Sequence, residues 1–342
     1  MSGQVSQPVR IPPSRQMYQL IWPGAMAAQT VYVAAKIGLA DIITKGPKTA
    51  EELARETNTH PPTLRRFLRA LNSLGIFSED VTGRFHHTPL SETLRSDVPD
   101  SVRAWAIMLG APFIWKSWGE LHETVITGRP AFERIFGLNL FDHLAKHPDD
   151  GAIFDAAMSS QSSGLSDILS AYEFSKFDRI VDVGGGQGEL LHGILAANPA
   201  LRGILYDLPS VVTGATALRA GTIGSRCEIR AGNFFDSVPE GADAYVLKQI
   251  IHSWNDEDAI RILRNCRRAI KPDGTLILIG DVLKTSDKPD SNVGLMDLMM
   301  LVLSPGRERT ESEYATLLRE AGFSLARVIT RVTGSIIEAH PV

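Results

Sequence analysis

The sequence predicts an α/β fold in which a mostly parallel, doubly wound sheet follows a helical, winged-helix-like N-terminal region. Three observations predict it. The β-branched run Arg179-Ile180-Val181-Asp182-Val183 is followed at once by Gly184, Gly185, Gly186 and Gly188. Glu189 to Ala197 then places Leu190, Leu191, Ile194 and Leu195 on one helical face, so strand, glycine turn and helix come in the order of a nucleotide-binding βαβ unit. Beyond it, apolar runs alternate with helical patterns to about residue 321. Upstream, two short helical patterns lead into a candidate hairpin, Phe77 to Thr88, turning near Asp80 to Gly83.

The glycine turn decides which nucleotide is expected. Gly203-Ile204-Leu205-Tyr206 is the second strand, with Asp207 at its C-terminal end, followed by Leu208 and Pro209. A carboxylate there can accept hydrogen bonds from both ribose hydroxyls of an adenosine ligand. The spacing G-x-G-x-G departs from the G-x-G-x-x-G fingerprint of dinucleotide sites. A tight turn of this kind, after a strand that carries an acidic residue (Asp182), suits S-adenosylmethionine (SAM), which has no pyrophosphate to cradle.

Length and composition set bounds. The 342 residues suffice for two domains, and the net charge of −4 gives no general attraction to nucleic acid or anionic membrane. Cys227 and Cys266 are far apart and lack metal-ligand spacing, so reduced thiols in a cytoplasmic protein are expected. No metal cluster and no apolar run of transmembrane length is expected either. Residues 1–16 are polar and proline-rich and read as a disordered arm.

Residues 17–100 read as the winged-helix-like region. Met17 to about Lys45 should form one or two helices, interrupted near Pro23-Gly24, with apolar residues on more than one face, as burial against a second subunit requires. Thr49 and Glu52 form a capping box, and Thr63 to Leu74 carries Leu64, Phe67, Leu68, Leu71 and Leu74 on one side. Arg65, Arg66 and Arg69 would lie on the recognition helix of a DNA-binding regulator; the alternative is a solvated face, which the acidic net charge favours.

Residues 101–170 read as a helical linker rich in large side chains, a source of core and of an apolar pocket. Trp105, Met108, Phe154 and Met158, with Met300 and Ser304 from downstream, are the pocket candidates. Phe154 to Leu169 should continue as one helix. Residues 171–342 form the α/β domain, with a helix at Val211–Ala220, strands at Cys227–Arg230, Ala242–Leu247 and Thr275–Gly280, helices at Asp256–Arg268 and Thr310–Ala321, and two antiparallel strands between Leu325 and Ala339. Gly184–Gly188, Asp207, Asn233-Phe234, Lys248 and Asp281 all fall at strand C-terminal ends, where such sheets bind ligands. His252 follows the Lys248 strand end. With a carboxylate partner from Asp281 or Glu308, it would be a good general base near neutral pH.

DVGGGQG, YDLP, GNFFDSVP, LKQIIHSWNDE, Ile270–Gly274 and PGRERT, in this order, resemble the SAM-dependent O-methyltransferases of the caffeate, flavonoid and bacterial natural-product type. The likeness runs from about residue 17 to the C-terminus. It implies a Rossmann-like class I methyltransferase domain, a dimerisation role for the winged-helix-like region, a homodimer, and a small aromatic acceptor. It implies His252 as catalytic base, flanked by Asp281 and Glu308. It places the cofactor on Ser162, Asp182, Gly184, Gly185, Gly186, Asp207, Leu208, Asn233, Phe234 and Lys248. Trp254 would either cover the adenine or serve as core. Some proteins similar to this family bind SAM yet carry out hydroxylation, decarboxylation or pericyclic chemistry, which is the alternative activity.

Overall fold

The structure, a computed structural model, describes residues 11–160, 164–284, 290–331 and 334–342. The chain divides into two compact units, Met1–Ala111 and Pro112–Val342; the 101–170 stretch falls across this division.

In the first unit a helix runs over Pro13–Lys36. It begins inside the stretch expected to be an arm and passes through Pro23, where an interruption was expected. Pro23 leaves only the carbonyl of Gln19 without its helical donor, and Gln19 is exposed, so water can satisfy it. The chain instead turns at Gly38, whose φ of 71° is left-handed. Met17, Leu20, Ile21 and Trp22 on this helix are exposed. Thr49 caps Ala50–Thr57 as the sequence implied: its hydroxyl accepts from Glu52 N at 3.2 Å, and its own N–H donates to Glu52 Oε2 at 2.7 Å. The next helix, Pro61–Ser73, buries Leu64, Leu68 and Leu71 but leaves Leu74 exposed. Strands β1 (Lys48–Thr49), β2 (Phe77–Glu79) and β3 (Arg84–His87) form an antiparallel sheet in the order β1-β3-β2. Asp80 Oδ1 shapes the β2–β3 turn by accepting from Thr82 N and Arg84 N. Arg65 pairs with Glu79 at 2.6 Å, and Arg66 and Arg69 are exposed, which fits the solvated-face alternative. The helix Arg103–Gly110 lies close on Pro13–Lys36; a Cβ on Gly110 would fall 2.2 Å from the Tyr32 ring.

The second unit opens with helices Pro112–Gly119, Leu121–Thr127, Ala131–Phe136, Leu140–Lys146 and Pro148–Ser159. The helix expected to run to Leu169 stops at Ser159 and another spans Leu165–Ala171; Ser162 lies outside the described residues. The main sheet follows: β4 (Arg179–Val183), β5 (Arg202–Asp207), β6 (Cys227–Ala231), β7 (Ala244–Lys248), β8 (Thr275–Gly280), β11 (Phe323–Ile329) and β12 (Ser335–Pro341). Strands β9 (Val282–Leu283) and β10 (Arg309–Thr310) form a separate two-stranded ladder. The main sheet has the order β11-β12-β8-β7-β4-β5-β6 among the described residues. Strands β4 to β8 are parallel, and β12 is antiparallel to both β8 and β11. Period-two alternation fills both faces. Val181, Val183, Tyr245, Leu247, Leu276 and Leu278 join one core with the helices Asp256–Ala269 and Glu311–Glu320. Ile180, Ala244, Val246, Ile277 and Ile279 join the other with Leu165–Ala171 and Glu189–Ala197.

Two further elements differ from expectation. Val211–Ala220 is no single helix but a turn of helix at Pro209–Val212 and a 3₁₀ turn at Ala217–Arg219. Gly214, with β-branched Thr213 and Thr216, lowers helix propensity there, and Thr216 N donates back to Gly214 O at 2.7 Å. A helix at Ser291–Leu303, capped by Asp290, has no counterpart in the sequence expectations.

Candidate active site

The winding reverses between β4 and β7: the chain passes outward through β5 and β6, then returns to the other side of β4. Loops leaving β4 and β7 at their C-terminal ends therefore diverge there and leave a crevice. The glycine turn borders it. Gly184, Gly186 and Gly188 have φ of 69°, 63° and 91°, which only glycine adopts freely. A Cβ on Gly184 would strike Ile250 at 2.5 Å with Phe234 at 3.5 Å, so the turn, the β6 loop and the β7 loop converge. Gly186 has open space where its Cβ would be. Asp207 is tied to the same turn: Oδ2 accepts from Gly186 N at 2.8 Å and Oδ1 from Leu208 N at 2.6 Å. Each oxygen keeps a lone pair. Burial raises the Asp207 carboxyl above its usual range, against the pull of those two N–H groups.

Asp182 lies beneath the turn, 1% exposed, and neither carboxylate oxygen has a hydrogen-bond partner among the described residues. Burial pushes it up to about 7, partly opposed by Lys248. Burial also lowers the Lys248 ammonium against the pull of Asp182 and Glu189. Asn233 Oδ1 accepts from Phe235 N at 2.9 Å and so shapes its own turn, while buried Asn265 donates to Phe234 O at 2.7 Å and fixes that turn to the helix Asp256–Ala269.

His252 sits on a 3₁₀ turn, Ile251–Ser253, after β7. Its Nδ1 hydrogen-bonds Glu308 Oε1 at 2.7 Å, with His252 8% and Glu308 1% exposed. A carboxylate only accepts, so Nδ1 carries a proton, and in the neutral imidazole Nε2 then presents the lone pair. Glu308 N donates to Asp297 Oδ1 at 2.8 Å. Among the described residues no hydrogen bond joins Asp281 to His252. Asp281 is half-buried and acts at longer range: burial raises its carboxyl, Glu308 raises it further, and His252 lowers it. The β9–β10 register, Arg309↔Val282 and Thr310↔Leu283, nevertheless sets the two acidic segments side by side. The neighbouring loop is held by contact: a Cβ on Gly306 would lie 2.0 Å from the His252 carbonyl oxygen.

Ser304 is buried and occupied: its hydroxyl donates to Met300 O and accepts from Gly306 N, both at 3.2 Å. Met300 is buried, with Ser253 Oγ 3.9 Å from its sulfur. Trp254 stacks on Phe141 at 5.4 Å and meets Phe235 edge-on at 4.7 Å; Phe141 in turn meets Phe154 at 6.3 Å. Met158, on the helix with Phe154, is half-buried. Trp105 and Met108 belong to the first unit, where Met108 is buried. The sequence carries no sign of the contacts that Gly306, Asp297, Asn265 and Arg309 make around this site. Only Gly306 and Arg309 lie in a motif, PGRERT, where the resemblance assigns a role to Glu308 alone.

An open glycine turn, a strand-end carboxylate with free lone pairs and a nearby aromatic ring are what an adenosyl group requires. Comparison with known proteins agrees. A family model for the O-methyltransferase domain matches residues 118–324, and one for the O-methyltransferase dimerisation domain matches residues 21–97. The chain belongs to the O-methyltransferase family. It is 41% identical over 335 residues to the phenazine O-methyltransferase PhzM of Lysobacter antibioticus, covering 97% of each. It is 32% identical to the phenazine-1-carboxylate N-methyltransferase of Pseudomonas aeruginosa, covering 92% of this chain and 93% of that one. The crystal structure of LaPhzM matches with a TM-score of 0.93 at 41% identity, covering 97% of this chain and all 100% of the other. NcsB1, an O-methyltransferase from neocarzinostatin biosynthesis solved with SAM and 2-hydroxy-5-methyl naphthoic acid, matches at 0.81 and 31% identity over 92% of this chain and 96% of that one. This O-methyltransferase is therefore a SAM-dependent enzyme with a class I methyltransferase domain and an N-terminal dimerisation domain. Among the described residues, no helix is long and apolar enough to cross a membrane.

Proposed function

We propose that this enzyme methylates a hydroxyl of a small aromatic natural product, with His252 as general base, acting as a cytoplasmic homodimer. The observation that carries the proposal is the 2.7 Å bond from His252 Nδ1 to buried Glu308. It fixes one tautomer and leaves Nε2 to take the acceptor's proton. A phenol is a weak nucleophile until that proton leaves, and a positioned base is worth about 10²–10⁴-fold. Bound SAM supplies an electrophilic methyl on a sulfonium. The Gly184–Gly186 backbone, Asp207 and Leu208 would hold its ribose side, and Asn233 and Phe234 its adenine. Asp182 and Lys248, with Ser162, would face its methionine end. Within the second unit, Phe154, Met158, Met300 and Ser304 are the proposed acceptor-pocket residues, where alignment of acceptor and methyl is the main demand. Residues 17–100 are the proposed dimerisation domain, whose exposed Met17, Leu20, Ile21 and Trp22 suit burial by a second copy.

The test is incubation with labelled SAM and a panel of phenols, naphthols and aromatic amines, with products read by mass spectrometry. Methylated oxygen is the expected product. Label on nitrogen alone would overturn the hydroxyl assignment. SAM binding with no methylated product would turn the choice toward the non-methyl-transfer chemistry of some family relatives.

A further inference from the structure

We propose, resting on His252 as the general base, that Arg309 is the positioning residue of the His252–Glu308 pair. Arg309 is fully buried at 0% exposure. A guanidinium has five N–H donors, and each finds an acceptor. Nε and Nη2 donate to Asp256 Oδ1 at 3.0 and 2.7 Å. Nη2 also donates to Trp254 O at 2.9 Å. Nη1 donates to Ile251 O at 3.1 Å and Arg307 O at 3.3 Å. The Ile251 and Trp254 carbonyls bracket His252 along the chain, and the Arg307 carbonyl immediately precedes Glu308. One planar group therefore fixes the backbone on both sides of the base and next to its carboxylate. Through β10 the same residue joins the segment after Asp281, by the pairing of Arg309 with Val282.

The fork is itself braced. Asp256 Oδ2 accepts from Arg307 Nη2 at 2.9 Å, and Arg307 Nη1 reaches Glu313 Oε1 at 2.7 Å. Burial alone would raise the Asp256 carboxyl, but the bonds from Arg307 and Arg309 outweigh it and keep it below its ordinary value. A lysine could supply the charge at this position. Its three donors on a flexible stem could not span acceptors spread across a planar fork.

The test compares Arg309→Lys with the wild type on two acceptors, one phenol un-ionised and one fully ionised at the assay pH. The direct readout is the downfield imidazole N–H resonance of the His252–Glu308 bond, assigned by its loss in His252→Ala. Expected are a shifted or lost resonance, a kcat lower by about 10–100-fold for the un-ionised phenol, and SAM affinity by calorimetry within about threefold of wild type. The kcat loss should nearly vanish for the ionised phenol, which needs no base. An unchanged resonance with unchanged kcat overturns the proposal. So does an equal loss on both acceptors, because Arg309 would then support the fold in general. A lost resonance with full turnover of the un-ionised phenol would keep the tie and overturn His252 as base, so the two failures are told apart. Should Arg309→Lys not fold, Asp256→Asn, whose side chain is 51% exposed, removes the charged acceptor alone and should show the same pattern at smaller size.

Discussion

Gly306→Ala tests the geometry of the site with a single methyl group. The new Cβ would stand 2.0 Å from the His252 carbonyl oxygen and 2.5 and 2.7 Å from the Ser253 carbonyl carbon and Cα. Non-bonded heavy atoms prefer roughly 3.5 Å, so the two backbones must part by about 1.5 Å, and neither is a flexible side chain that can swing aside. The His252–Glu308 bond is 2.7 Å; opening it by only about 1 Å carries it beyond hydrogen-bonding range. A misplacement of that size costs about 10²-fold in rate, and the overpacking costs about 1–3 kcal/mol of stability. SAM affinity should change by less than about threefold, because Gly186 and Asp207 are anchored on β4 and β5. The assays are single-turnover methyl transfer to an un-ionised phenol, calorimetry with SAM and a thermal melt. Wild-type turnover in a folded Gly306→Ala enzyme would rule out a role for this close contact in placing His252. A parallel collapse of SAM affinity would show that the strain spreads through the whole crevice.

His252→Ala should lower turnover of an un-ionised phenol by about 10²-fold or more at nearly unchanged SAM affinity; wild-type turnover rules out the base role. Asp207→Ala removes a carboxylate that accepts from Gly186 and Leu208 N–H groups, and calorimetry should show SAM binding weaker by about 10–100-fold. Asp182 gives a stability prediction. Its folded carboxyl is raised from 3.8 to about 7, so between these values the folded state holds a proton that the unfolded state releases. Stability from this group is therefore full below about pH 4 and lost as pH rises through about 7, at up to about 1.4 kcal/mol per pH unit. Asp182→Asn should flatten denaturant midpoints across that window; an unchanged slope would show that Asp182 is not the group responsible.

The parts of the site visible in the sequence are those carried by contiguous residues. The β4 turn announces itself because a β-branched strand, four glycines and an apolar helix face sit within 20 residues. His252 and Glu308 were visible as chemistry-bearing types on loops at one sheet edge. Arg309 was not, because three of its acceptors are backbone carbonyls, and a carbonyl leaves no mark on residue identity. Gly306 was hidden for a related reason: its φ is ordinary, and only the distant backbone of His252 explains why it has no side chain. Local rules misjudged Pro23 in the opposite direction. A proline predicts a broken helix, yet one lost hydrogen bond on an exposed face was too small to stop Pro13–Lys36. Ser304, a pocket candidate by its place in the sequence, also ties the turn that delivers Gly306 to His252 through its hydroxyl.

The ladder joining β9 to β10 is two residues long, too short to hold without support. It persists because Arg309 and the loop before it are tied to the turn after β7. β10 and the turn after β7 should then open in concert, as one small cooperative unit beside a far more stable sheet. Amide hydrogens of Leu283 and Thr310 should exchange at a common rate, faster than those of β4 and β8 by many-fold. On warming, catalysis should fade first, while the far-ultraviolet signal of the sheet still reports a folded protein. Such an enzyme should lose its working arrangement by local melting and recover it on cooling, without the chain having unfolded.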